Sequence, residues 1–293
     1  MDFIIENNFL RVTVSSQGAE LTSIVNKQND AEMLWNADPA VWNRHAPILF
    51  PYCGKLKDGK FTHKGVTYEG GQHGFARDME HTLVAQEADC VTLCLEANAL
   101  TMEKFPFAFK FTTTYKLEGN AVHHTVKVEN DGDEPLHFGM GYHPGVVCPF
   151  DAQHTTEDYS IVFDTPETPT VIETGSATGL VTGKTYTYFE NQTEIPLHDH
   201  LFDTDSICFK APKSATISLV EKNTGRRVVF DTANFPYVLL WSAKGPMHFM
   251  CVEPWFGLPD TETATGEWTE KPATIQLAPA AEWTTTLTMH FER

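Results

Sequence analysis

The stretch "FKFTTTYKLEGNAVHHTVKVEN", residues 109–130, decides the fold class of this chain. It reads as two strands folded back on each other at Gly119-Asn120, residue types that tolerate the positive φ a tight hairpin turn requires. His123 and His124 are neighbours on the second arm, so they point to opposite faces of a sheet and cannot share one site.

The same pattern continues outward in both directions. "FLRVTVSS" (9–16), "CVTLCLEA" (90–97) and "EWTTTLTMHF" (282–291) alternate with a period of two, which sets Trp283, Thr285, Leu287, Met289 and Phe291 on one face. A second hairpin, "TISLVEKNTGRRVVFD" (216–231), turns at Asn223-Thr224-Gly225. Helix-period stretches are scarce, and only "PAVWNR" (39–44) reads as a short helix of one or two turns. Strands do not alternate with long helices, which argues against Rossmann and TIM architectures. Many short strands with regular turns predict an all-β fold, a large antiparallel β-sandwich. Residues 165–195 are polar and rich in Thr, Gly and Glu, and are expected to form a long excursion or loop. No internal repeat or linker divides the chain, so one domain over residues 1–293 is expected.

Composition narrows the function classes. The chain is 41% hydrophobic and 20% charged, enough for a packed core and unlike a disordered segment. A net charge of −18, spread along the sequence, argues against nucleic acid and anionic membrane as partners. No apolar run approaches the length of a membrane span, and "MDFIIENNFLRVTV" at the N-terminus lacks the pattern of a secretion signal. The six cysteines, at 53, 90, 94, 148, 208 and 251, form no C-x-x-C pair and sit in apolar runs. Buried free thiols in a reducing cytoplasm fit that usage better than disulfides or zinc.

Candidate chemistry begins at "MCVEPWFGLPD" (250–260), where Glu253 follows the apolar "YVLLWSAKGPMHF" (237–249) and precedes Pro-Trp-Phe. An ionised carboxylate is costly in such surroundings unless it is paired, and a buried pair with Lys or Arg is the plain alternative. Two histidines have similar settings. "GGQHGFARD" (70–78) places His73 among glycines at a strand end, where backbone can approach a ligand closely. "HFGMGYHPGV" (137–146) places His143 before a proline that restricts it to extended backbone and ends its strand. The remaining histidines form no constellation; "HDH" (198–200) lacks a third metal ligand at a recognisable spacing. Apolar surroundings raise the Glu253 pKa toward neutrality and make it a usable general base, while a histidine serves as general acid. An acid and a base facing each other across a small polyhydroxylated ring open a hemiacetal, permit rotation about C1–C2 and reclose it with the opposite anomer. No metal, nucleotide or other cofactor is required. Trp241, Trp255, Phe256 and Tyr142 are candidates for stacking on a sugar face.

At these residues the sequence resembles the aldose 1-epimerase (galactose mutarotase-like) superfamily, nearest to bacterial mutarotase-like proteins encoded beside sugar operons. The resemblance runs through "FLRVTVSSQGAELTSI", "RHAPILFPYCGKLKDGKFTHKGVTYE", "QHGFARD", "GYHPGV", "LLWS" and "CVEPWFGLPD". It implies a β-supersandwich with a sugar cleft on one sheet. It further implies His143 as general acid at the ring oxygen, Glu253 as general base at the anomeric hydroxyl, and His73 as a second histidine on the sugar. In "LFDTDSICF" Asp205 matches the aspartate that holds sugar hydroxyls, ahead of Asp203. Where galactose mutarotases carry Asn-Arg-Ile this chain has Gly54-Lys55-Leu56, and Lys55 lacks the planar fork of arginine. The acid–base pair is therefore kept while the grip on the substrate differs.

The expected partner is a small sugar, an aldohexose or a sugar phosphate, with room for a homodimer. A hexose-6-phosphate 1-epimerase is the alternative within the superfamily, with Arg44, Lys55, Lys57 and Arg77 as candidates for the phosphate. A carbohydrate-binding or sensing protein without turnover is the alternative outside catalysis. A glycosidase needs two acids flanking a bond, and one compelling buried acid with two histidines does not match that.

Overall fold

In the computed structural model, which describes residues 1–292, two large antiparallel sheets carry the chain. The first has nine strands, in the order Gln192–Pro196, Tyr159–Glu167, Thr216–Glu221, Arg227–Asp231, Glu282–Glu292, Ala121–Asn130, Phe109–Glu118, Cys90–Glu96 and Thr82–Gln86. Beside its central strand Glu282–Glu292 lies the 109–130 hairpin, paired from Phe109↔Asn130 to Glu118↔Ala121, with Gly119 at φ 57° in the turn. The second sheet runs Val181–Thr187, Thr170–Thr174, Ile207–Lys210, Tyr237–Trp241, Phe249–Phe256, Met140–Tyr142 and Ile48–Leu49, with Gly145–Val147 also pairing to Phe249–Phe256. A four-stranded sheet of Asp2–Glu6, Leu10–Ser15, Leu21–Asn26 and Ala31–Glu32 flanks them.

Period-two patterning explains why the two large sheets stack. In Phe109–Glu118 the odd residues are buried and the even ones are partly exposed, so one row of side chains faces the second sheet. Trp283 and Phe256 meet across the interface with centroids 5.0 Å apart, and Phe163 and Phe209 at 5.8 Å. The Tyr142 hydroxyl donates across it to the carbonyls of His124 and Thr285, at 2.9 and 3.2 Å, so a buried phenol is satisfied. One apolar cluster runs from Phe3 to Phe291.

Two expectations are corrected here. "PAVWNR" is not helical: Val41 and Trp42 donate to Asp38 O at 3.0 and 2.9 Å, an isolated turn that holds Trp42 toward the cavity described below. The short α-helix is instead Ala99–Met102, capped by Asn98, whose Oδ1 accepts from Leu100 N and Thr101 N. Residues 165–195 are not a loop but hold Thr170–Thr174, Val181–Thr187 and most of Gln192–Pro196. Val181–Thr187 and Gln192–Pro196 end the order of their sheets and are largely exposed, so polar Thr-rich sequence is compatible with them. Among the described residues no helix is long and apolar enough to cross a membrane.

Candidate functional site

Phe249–Phe256 is covered on both sides. Met250, Val252 and Phe256 join the interior between the sheets, while Phe249, Cys251, Glu253 and Trp255 point the other way. Glu253 therefore stands on the outer face of the second sheet, walled by aromatic side chains.

Its neighbour across the ladder is set by an interruption. Met140 and Gly141 pair with Phe256 and Trp255; after a break, Gly145, Val146 and Val147 pair with Cys251, Met250 and Phe249. Both pieces keep the same register, so the intervening His143 falls opposite Glu253. Directly opposed side chains on one face lie ~4.5–5.5 Å apart at Cβ, and here His143 Nε2 is 3.2 Å from Glu253 Oε2. Pro144 lies where Met140–Tyr142 ends, as expected from the sequence, whereas Pro254 lies inside Phe249–Phe256 rather than at its end. Pro144 and Pro254 flank the gap, where an interrupted ladder tolerates residues without an N–H.

Aromatic rings box the imidazole. Trp42 stacks on His143 with centroids 4.9 Å apart at 26°, Trp241 meets it edge-on at 5.4 Å, and His73 at 5.7 Å. Trp42 was not among the residues singled out from sequence, because it reaches His143 through tertiary contact alone. His73 is at φ 67°, unusual for a non-glycine residue. A reciprocal pair holds it there: its N–H donates to Gly54 O at 2.8 Å, and Gly54 N–H donates to its Nδ1 at 3.0 Å. Neutral His73 therefore carries its proton on Nε2. The Gln72 side-chain amide 3.0 Å from that atom must offer its oxygen to match it.

His143 and Glu253 line a cavity of about 370 Å³ together with Trp42, Asn43, Arg44, Gln72, His73, Arg77, Asp205, Ser206, Leu239, Trp241 and Trp255. A side lobe of about 150 Å³ shares His73, Asp205 and Trp255 and adds Lys55, Thr174, Ser176 and Cys208. Of the residues named from sequence, Glu253, His143, His73, Asp205, Arg44, Arg77, Trp241 and Trp255 share the main cavity, and Lys55 occupies the lobe. Asp203 is spent elsewhere, on Gly245 N and His200. Lys57 is also spent elsewhere, with Nζ on Ala264 O. Tyr142 and Phe256 do not face the cavity; the alternation that points Glu253 outward turns Phe256 inward, and the Tyr142 hydroxyl bonds to the opposite sheet. Trp241 and Trp255, also named from the sequence, do line the cavity, and Trp42 adds to that aromatic wall.

Burial governs the electrostatics. It pushes Glu253 well above the usual carboxylate range; the Trp255 indole offsets part of this and the charge of Asp205 adds to it. Among the described residues no Lys or Arg pairs with Glu253, and the buried Lys271 pairs with Asp260 instead, at 2.6 Å. Burial, reinforced by Arg77, lowers His143 to about 3. Burial lowers His73 well below its ordinary value, with His143, Arg77, Arg44 and Lys55 adding to the effect. Both shifts favour the neutral forms of the pair, a carboxyl and an unprotonated imidazole, over the ion pair. This differs from the ionised base and protonated acid expected from sequence, because both charged forms are desolvated together. Glu253 Oε2, His143 Nδ1 and Trp255 Nε1 are buried without a well-formed hydrogen bond among the described residues.

Two arginines shape one wall. Arg44 bonds to Asp78 Oδ1 at 2.6 Å and to Arg77 O at 3.3 Å, while Arg77 Nη2 donates to Gln72 O at 2.7 Å. Arg77 Nε is buried without a hydrogen-bond partner among the described residues.

Comparison with known proteins agrees with this architecture. A family model described as Aldose 1-epimerase matches residues 1–276. Protein LacX of Lactococcus lactis subsp. lactis, in chromosomal and plasmid forms, is 31% identical over 286 residues, which is 95% of either chain. A galactose mutarotase related enzyme from Lactobacillus acidophilus superposes with a TM-score of 0.95 at 31% identity, covering 100% of this chain and 98% of that one. A galactose mutarotase-like protein from Lactobacillus casei gives 0.91 at 28% identity, covering 100% of both. With the match extending across nearly the whole length and the sandwich shared throughout, this chain belongs to the aldose 1-epimerase family.

Proposed function

We propose that this protein is an aldose 1-epimerase that interconverts the α and β anomers of a sugar, with Glu253 and His143 as its acid–base pair. The observation that carries the proposal is the 3.2 Å approach of His143 Nε2 to Glu253 Oε2 on the wall of the cavity. The anomeric hydroxyl and the ring oxygen of a sugar hang on the same carbon, so groups serving both must stand side by side. A cross-strand pair does so.

The proton count closes on this pair. With cyclic sugar bound, the shared proton moves to His143 and leaves Glu253 ionised and able to accept from the anomeric hydroxyl. Glu253 then takes the proton of the anomeric hydroxyl while His143 protonates the ring oxygen. The C1–O5 bond breaks, and the open aldehyde lies beside a protonated Glu253 and a neutral His143. Rotation about C1–C2 and the same steps in reverse give the other anomer, with one proton on the pair throughout. His73, whose Nε2 proton meets the Gln72 side chain, shapes the wall beside the sugar, and Asp205 accepts from its hydroxyls.

The test is anomerisation followed by NMR exchange spectroscopy. General acid–base groups contribute ~10²–10⁴-fold, so Glu253→Gln and His143→Asn should each lose activity on that scale with unchanged circular dichroism. Most activity surviving in either variant overturns the pair. A wild type that binds sugar without accelerating anomerisation, matched in binding by Glu253→Gln, assigns a binding protein instead.

A phosphorylated aldose is the second reading, favoured by Arg44 and Arg77 on one wall of the cavity in a chain of net charge −18. Glucose, galactose and glucose 6-phosphate assayed side by side decide it. Equal rates on free and phosphorylated sugar remove the phosphate reading.

A further inference from the structure

The proposed acid–base pair has a third companion that the reaction does not use. Cys251 precedes Glu253 by two residues on one strand, so both side chains leave the same face, and opposite Cys251 stands Gly145, where a Cβ would lie 2.9 Å from the Trp42 ring. One ligating atom each of His143, Cys251 and Glu253 lies within 4.8 Å of the other two. The three residues are 7%, 0% and 1% exposed. His143 Nδ1 and Glu253 Oε2 are buried with no hydrogen-bond partner among the described residues.

We propose that His143, Cys251 and Glu253 form an inhibitory site for a thiophilic divalent cation, Zn²⁺. Thiolate, imidazole and carboxylate are the donors that zinc takes, at ~2.3, ~2.0–2.1 and ~2.0–2.2 Å, and tetrahedral bonding at those lengths separates the donors by about 3.4–3.6 Å. The 3.2 Å between His143 Nε2 and Glu253 Oε2 is already close to that. Charge favours the same ion: the thiol and the carboxyl each release one proton to solvent as the metal binds, and the two anions neutralise the dication in a buried setting. Three protein donors leave the fourth position to water or a sugar hydroxyl from the cavity. Calcium and magnesium, which need six or more oxygens, are not served. Zinc bound here occupies the lone pairs of both proton-transfer groups, so the loaded protein cannot exchange protons with a sugar.

A second group, Asp151, His154 and Glu221, has comparable spacing. Arg226 already bonds both of its carboxylates, so a cation is in place there.

The binding half of this inference is independent of the proposed reaction, while the inhibitory half rests on it. Titration of the full chain with Co²⁺ should give a near-ultraviolet thiolate-to-cobalt band saturating at one equivalent and displaced by Zn²⁺. Cys251→Ala should abolish the band, and Cys208→Ala, which removes a different buried thiol, should keep it. Cys251→Ser, closer in volume, provides the same readout if the alanine variant folds poorly. In anomerisation assays zinc should inhibit the wild type, and Cys251→Ala should need at least ~10-fold more zinc for the same inhibition. Absence of the band, or a band that survives in both Cys251 variants, overturns the site. A cobalt band that depends on Cys251, in a metal-free wild type that shows no anomerisation, upholds the metal site and overturns the enzymatic reading.

Discussion

At the scale of single residues, a carboxylate and an imidazole in one desolvated pocket constrain each other more than either is constrained alone. Burial raises Glu253 and lowers His143, so both effects keep the pair at one proton and no net charge. Orientation then matters as much as pKa, and Trp42 stacked on the imidazole supplies it. Trp42→Ala should lower kcat/KM about 10-fold or more, since misplacement of a reacting group is expensive, and should also lower the melting temperature, because its packing on His143, Trp241 and Phe249 is lost; steady-state kinetics with a melting curve checks both. Asp205 accepts from Ser206 N at 2.7 Å and borders the cavity. Asp205→Asn should raise KM more than it lowers kcat, as loss of a group that grips substrate and transition state alike requires. Glu253, His143 and His73 were legible in the sequence because each breaks a local rule: an acid in apolar company, and histidines set against Pro or Gly. Trp42 broke none, and its role follows from a turn whose direction only the fold defines.

At the scale of elements, the decisive feature is the broken strand from Met140 to Val147. Its two pieces hold one register against Phe249–Phe256, and the gap between them delivers His143 to Glu253. The segment bearing His73 has a comparable fixture at Gly74, with φ 71° and a backbone approach to Phe50. A Cβ on Gly74 would lie 2.1 Å from Phe50 O, and that atom is main chain with little room to yield. Gly74→Ala should therefore destabilise by at least about 1–3 kcal/mol from conformation alone, and displace His73; the denaturation midpoint and KM report the two effects. Buried charge is handled similarly by Lys271, whose Nζ donates to Asp260 Oδ1 at 2.6 Å and Leu258 O at 3.0 Å. Lys271→Met leaves Asp260 buried without its counter-charge and should cost ~3–5 kcal/mol in equilibrium unfolding. Proline directly after a titratable residue is expected to stiffen its mount. His143-Pro144 does end a strand, but Glu253-Pro254 lies within one, because the split in the neighbouring strand at the same level is not visible in one sequence.

At the scale of the whole molecule, the sheets enclose histidines that stay neutral. His124 faces the interior beside Tyr115, with centroids 4.1 Å apart, and burial lowers its pKa to about 3. The unfolded chain protonates this histidine near its ordinary value of 6.5, so between there and about pH 3 the unfolded state binds more protons than the native one. Stability is full above that window and falls as pH is lowered through it. His124→Leu, which removes the buried ring, should flatten the decline of melting temperature between neutral pH and mildly acidic pH; an unchanged slope would place the acid sensitivity elsewhere.

The sequence by itself determined the class of the fold, since alternation, hairpin turns and the scarcity of helical periodicity are local properties of covalent order. It also determined which side chains stand out chemically, because an acid among apolar residues is anomalous wherever it lies. Tertiary structure alone decided which of them meet. The shared register across an interrupted strand joins His143 to Glu253, the outward face of Phe249–Phe256 separates Trp255 from Phe256, and an isolated turn brings in Trp42. It also decided the resting proton, because desolvation belongs to a neighbourhood assembled from segments more than a hundred residues apart in sequence. Distances between such segments are set by packing and strand pairing, and no local pattern encodes them.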